Sequence, residues 1–176
     1  MKKLFLTLCM CFAVMTASAQ TVTWNDVVEI FQEIINESGS EIEYELASVG
    51  ADCKFSSSYN KAQKSFDMVF NFYDPSLVDS LSNSDLTEVK NSFVYAFVSS
   101  AIDDGDTTGL KEILKAMERN DGKIKLIFKA VKKGQPVLRS VTITSAPTAF
   151  SSAMISLFRL PQSTVNTKFI PFSWTF

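Results

Sequence analysis

Phe66, Met68, Phe70 and Phe72 take every second position along one stretch of the chain, and Ile124, Leu126, Phe128 and Ala130 do so along another. Successive side chains of an extended strand point to opposite faces, so a period of two gathers each set on one side. Two such strands need a layer to bury that side against. The second stretch alternates its apolar positions with Lys123, Lys125, Ile127 and Lys129. Asp74-Pro75 closes the first stretch. The turn signal "NDGK" at 120–123 opens the second, and "KKGQP" leads into a returning strand at 137–143. Cys53 and Phe55 mark a further short strand.

Elsewhere the period becomes helical. Val27, Val28, Phe31, Ile34 and Ile35 share one face of a helix predicted over 24–36, with Thr23 as N-cap and Asp26 three residues on as an acidic capping box. Ser38-Gly39 reads as its end. Ile42, Tyr44 and Leu46 then alternate with Glu41, Glu43 and Glu45, the pattern of a half-buried strand. A polar linker follows residue 75. Ser84 or Asp85 caps a helix to about residue 102, with Leu86, Val89, Phe93, Phe97 and also Val94 inward, and Asp103-Asp104-Gly105-Asp106 breaks it. A short helix covers 110–118. Pro147 opens a last one, with Phe150, Met154, Leu157 and Phe158 inward, and the tail "TKFIPFSWTF" is strand-like. The expected fold is one α+β domain over 20–176: a mainly antiparallel sheet of five to six strands with helices packed on one face.

The first nineteen residues stand outside that fold. Lys2 and Lys3 precede a short apolar run from Leu4 to Met15, and Ala17-Ser18-Ala19 puts small residues at −3 and −1 before Gln20. This is the layout of a secretory signal peptide of bacterial style, cleaved after Ala19. The run is too short for a permanent membrane helix. Lipidation at Cys9 or Cys11 is disfavoured, because Leu8 and Met10 precede them rather than Gly, Ala or Ser. No later stretch has the length and apolarity of a transmembrane helix. The expected location is extracytoplasmic, in the periplasm or outside the cell.

Loss of Lys2 and Lys3 takes the formal charge from −2 to −4. A mildly acidic chain lacks the basic balance of a general nucleic-acid binder. Cys53 is the one cysteine past the signal, so a mature chain has no internal disulfide and its stability must come from a core rich in Phe. There is no histidine. That removes Ser-His-Asp and Cys-His catalysis, His-ligated zinc and the usual general base near neutral pH.

"IEYEL" at 42–46 and "KIKLIFK" at 123–129 carry opposite charge on the same apolar alternation. Paired in one sheet, the Glu row would be relieved by the Lys row. The longer segments around them also match, Ile30 with Ile113, Ile34 with Met117 and Ile42 with Ile124. An internal duplication of a helix–hairpin unit would produce this, and so would any helix–turn–strand.

Four features bear on chemistry. Ser58-Tyr59-Asn60-Lys61 matches S-x-x-K, the nucleophile motif of penicillin-binding proteins and serine β-lactamases. The match covers four residues, and its companion K-T-G is absent, which favours a solvated turn. "DDGDTTG" at 103–109 clusters carboxylates without the spacing of a calcium loop. Cys53 reads as buried rather than reactive, since Lys54 would point to the other face. Phe172, Trp174 and Phe176 place aromatics at period two in the tail, a strand that would add to another sheet, and are the expected partner-binding residues.

No catalytic residue, cofactor or metal site is assigned. The expectation is a non-catalytic binding module whose partner is a protein, peptide or glycan of the cell envelope, with no nucleic acid; no oligomeric state is assigned. Two alternatives stand beside it. A small glycosidase-like hydrolase would need two inward acids, one of raised pKa. A structural envelope protein would act through a sheet edge.

Overall fold

The computed structural model describes residues 21–103 and 107–145. They form an α+β fold: four helices and one four-stranded mixed sheet. In chain order the elements are α1 (Trp24–Ser48), β1 (Cys53–Asn60), β2 (Ser65–Phe72), α2 (Pro75–Asp79), α3 (Asn83–Asp103), α4 (Thr107–Asn120), β3 (Lys123–Lys132) and β4 (Gln135–Thr144). The strands lie in the order β1-β2-β3-β4. Both outer pairs are antiparallel hairpins, and the central pair β2–β3 is parallel. Parallel neighbours need a crossover, and α2, α3 and α4 fill it.

The two alternating stretches behave as their period requires. Phe66, Met68 and Phe72 of β2 and Ile124, Leu126, Phe128 and Ala130 of β3 are all buried. The register sets Phe66 beside Ile124 and Phe70 beside Phe128, and the last two rings stack at 5.5 Å. Cys53, Phe55 and Ile143 extend this inner face to both edges. Trp24, Val27, Phe31, Val78, Leu86, Val94, Phe97, Ile113 and Met117 of the helices join them in one core. Phe31 sits edge-on to Trp24, Phe66 and Phe97 at 6.4, 5.6 and 6.2 Å, and so links helix to sheet.

The largest correction concerns 42–46. It is not a strand: α1 runs without a break from Trp24 to Ser48. Ile34, Ile35, Ser38 and Ile42 continue one buried stripe, and Ser38-Gly39 lies on that stripe instead of ending the helix. At Gly39 an added Cβ would meet Phe55 Cδ1 at 3.7 Å, an ordinary packing distance, so α1 runs close over β1 there. Ile42 and Leu46 are four apart and serve a helix as well as a strand, whereas Tyr44 is 76% exposed. The Glu and Lys stretches therefore do not share a sheet. The proposed correspondence of Ile42 with Ile124 pairs a helical residue with a strand residue. A helix–hairpin order does occur twice (α1-β1-β2 and α4-β3-β4), but β1 is an edge strand and β3 an inner one.

Among the described residues the sheet has four strands where five or six were expected, and its two antiparallel pairs flank a parallel centre. The linker after residue 74 contains α2, because proline is suited to the first turn of a helix and Asp74 accepts from Ser76 N at 2.8 Å as N-cap. Val78 makes that short helix part of the core. The Thr23–Asp26 capping box forms as expected. A second one, Ser82 with Asp85, starts α3. The expected signal segment, the helix expected from Pro147 and the strand expected to hold Phe172, Trp174 and Phe176 fall outside the described residues. Among the described residues, no helix is long and apolar enough to cross a membrane.

Candidate functional site

The helices and the inner side chains share one face of the sheet, so the other face is where β2, β3 and β4 display polar groups. Lys123, Lys125 and Lys129 form a row along β3 on this outer face. In register with Lys125 stand Asp67 on β2 and Thr142 on β4, and in register with Lys129 stand Asn71 and Leu138. Val69, Ile127 and Ser140 line up between them. Val131 and Leu138 are 63% and 51% exposed, which gives the far end of the face an apolar element beside Lys129.

At the near end, where β2 and β3 both begin, the surface dips into a basin of about 300 Å³. Its lining includes Lys64, Ser65, Asp121, Lys123, Lys125 and Thr142. Two backbone features build it. Lys64 has φ 51° and Asp121 has φ 53°, left-handed values that non-glycine residues rarely adopt. Asp121 is the left-handed residue just past α4, with Gly122 N donating to Met117 O at 2.7 Å and Asp121 N to Glu118 O at 3.3 Å. Lys64 is held by its carbonyl, which accepts from Trp24 Nε1 and from Lys123 N, both at 3.0 Å. Lys123 pairs with Asp121 at 3.0 Å. The Ser65 hydroxyl, on a residue 3% exposed, donates to Asp67 at 2.6 Å. Lys64 also borders a second depression of about 350 Å³ on the side of Trp24, Tyr59 and Asn120.

Several acids play structural parts. Glu43 accepts from Phe55 N at 2.9 Å and pairs with Lys54 at 3.0 Å, and those bonds, the backbone one first, hold its carboxyl below the usual range. Hydrogen bonds to Ser76 lower Asp74, the bond to Lys132 lowers Asp79, and bonds to Ser82 lower Asp85. The Lys115 bond does the same for Glu112. Among the described residues, each resolved carboxylate shift is downward, towards the ionised form. Cys53 is 2% exposed, and burial, followed by the charges of Glu43 and Asp52, pushes its thiol up to about 11. Among the described residues, no group of three or more His, Cys, Asp or Glu side chains is placed to hold a metal ion.

Ser58 and Lys61 are not brought together as a nucleophile pair. Ser58 belongs to β1 and Lys61 to the turn after it, and no helix starts there. Residues 104–106 of the acidic loop lie outside the described residues, as do Phe172, Trp174 and Phe176. Sequence reasoning found the lysine row as an alternating pattern but missed the basin. Residue pattern gives no sign of a lysine in the left-handed region or of Thr142 crossing from β4 to meet Lys125. No family model, no curated protein and no solved structure matches the chain.

Proposed function

We propose that this chain is a non-catalytic interaction module of the bacterial cell envelope or exterior, which binds a protein, peptide or glycan through the outer face of its sheet. One observation carries the reading. The face opposite the core bears a lysine row that ends in exposed Val131 and Leu138, the mixture of charge and apolar surface that binding faces use. The lowered carboxylates support it, because they are engaged in capping and pairing whereas a glycosidase acid needs a raised pKa. The signal-like residues 1–19 supply the route of export, and the aromatic tail residues Phe172, Trp174 and Phe176 remain candidates for the same binding.

The test compares the purified protein with a Lys129→Glu, Leu138→Asp variant against immobilised envelope fractions and a glycan and peptide panel. Loss of capture in the variant, with its circular dichroism unchanged, is the expected result. Equal capture by both would move binding off this face. Turnover in a glycosidase, esterase and peptidase screen that a single Asp or Glu substitution abolishes would overturn the module reading.

A further inference from the structure

We propose that the basin at the start of β2 and β3 is a binding site for a phosphate monoester, held by Lys64, Lys123 and Lys125 with hydroxyl donation from Thr142. The inference rests on the outer face being a binding face and names the chemistry of one end of it.

Charge comes first. Helix α1 carries Asp26, Glu29, Glu33, Glu37, Glu41, Glu43 and Glu45 and no base. In an acidic chain, three lysines lining one small basin run against the overall balance, and the single acid of the lining, Asp121, is spent on Lys123. Lys125 is half-buried and forms no ion pair among the described residues. Its cross-strand neighbour Asp67 is turned to the Ser65 hydroxyl at 2.6 Å. An ammonium with no ion pair of its own can take an anion that enters beside it.

Shape and rigidity come next. About 300 Å³ lies at the low end of small-molecule sites and suits a phosphorylated small molecule or head group better than a polymer. The root of Lys64 is fixed, since its carbonyl is bonded from α1 and from β3 while its φ stays left-handed. A left-handed non-glycine residue costs on the order of 1 kcal/mol, and such residues gather where the surroundings hold a binding geometry. Lysine ammoniums act as point charges on phosphate oxygens, and a hydroxyl adds direction.

The experiment is a ¹H–¹⁵N titration of the purified protein with inorganic phosphate and with glycerol phosphate, against chloride at matched ionic strength. Saturable shifts at the Ser65, Lys125 and Thr142 amides are expected, stronger at pH 7.5 than at pH 5 because the second ionisation lies near pH 6. Lys125→Gln should weaken binding about tenfold, a change of about 1.4 kcal/mol, while Lys125→Arg keeps most of it and Lys133→Gln, on the distant hairpin, changes nothing. Thr142→Val gives a second reading should Lys125→Gln disturb the fold. Vesicles with and without phosphatidic acid tell a lipid head group from a soluble monoester. Shifts that chloride reproduces, or equal loss in Lys133→Gln, overturn the proposal. If phosphate fails while the Lys129→Glu, Leu138→Asp variant still loses capture, the phosphate site falls and the binding face stands.

Discussion

Replacing Gly122 by alanine places a methyl group where Trp24 already is. A Cβ there would lie 2.5 Å from Trp24 Cδ2, 2.7 Å from Cε2 and 2.8 Å from Cγ. Carbon atoms pack best about 3.5–4.0 Å apart, so about 1 Å must be gained. Trp24 is 1% exposed, stands edge-on to Phe31 and donates Nε1 to the Lys64 carbonyl, so the ring has little room to retreat. Overpacking of this kind costs about 1–3 kcal/mol. A tilt that breaks the Lys64 bond adds about 1 kcal/mol. Gly122→Ala should therefore cost about 2–4 kcal/mol in urea unfolding followed by circular dichroism. Gly134 is the contrast: its φ is 77° and nothing lies within 4 Å of an added Cβ, so Gly134→Ala should cost only the left-handed penalty of about 1–2 kcal/mol. Trp24→Leu removes the fused ring edge, and in that background Gly122→Ala should cost markedly less. Equal cost in both backgrounds, or wild-type stability for Gly122→Ala alone, would refute the clash.

Glu43 has a lowered pKa in the folded chain, so its contribution is present above its ordinary value of 4.5 and is lost as pH falls through the folded value. Glu43→Gln should narrow the stability gap between neutral and acid pH, and Glu43→Ala should speed hydrogen exchange at the Phe55 amide at pH 7. Phe66→Ala, at a residue 0% exposed, should cost about 3–5 kcal/mol, whereas Tyr44→Ala, 76% exposed on the outer side of α1, should stay within about 0.5 kcal/mol. A strand at 42–46 with Tyr44 turned to the core would instead make Tyr44→Ala expensive. Cys53 should react with a thiol reagent at pH 8 far more slowly in the native chain than in urea; equal rates would contradict its burial and its thiol pushed up to about 11.

Where a pattern had one physical meaning, the chain could be read from its residues. Phe66 to Phe72 and Ile124 to Ala130 admit only a strand with one buried face. The Thr23–Asp26 cap has one geometry. Short windows fail where two periods agree: Ile42 and Leu46 satisfy a strand and a helix alike, and only the stripe reaching back through Ser38 to Ile35 decides. Asp74-Pro75 ends a strand and begins a helix with the same two residues. Alternation does not encode direction, so the parallel union of β2 and β3 depends on the helices between them. For the site, the lysine row was legible along β3. Lys64, Ser65 and Thr142 were not, because three separate strand ends and turns bring them together.

The carbonyl of Lys64 also ties together parts of the chain that are made at different times. Its two donors are residues 24 and 123, one far upstream and one far downstream. During synthesis, Lys64 emerges long before Lys123. Until then its carbonyl lacks one partner and β2 lacks a neighbour on one side. A lone two-stranded hairpin is marginal in water and needs a helix or further strands to pack against. Residues 21–72 lay α1 on that hairpin through Phe31 and Phe66, yet the inner edge of β2 stays unpaired until β3 is made. A truncation just before β3 would leave β2 with an open edge, and open strand edges invite pairing with other chains.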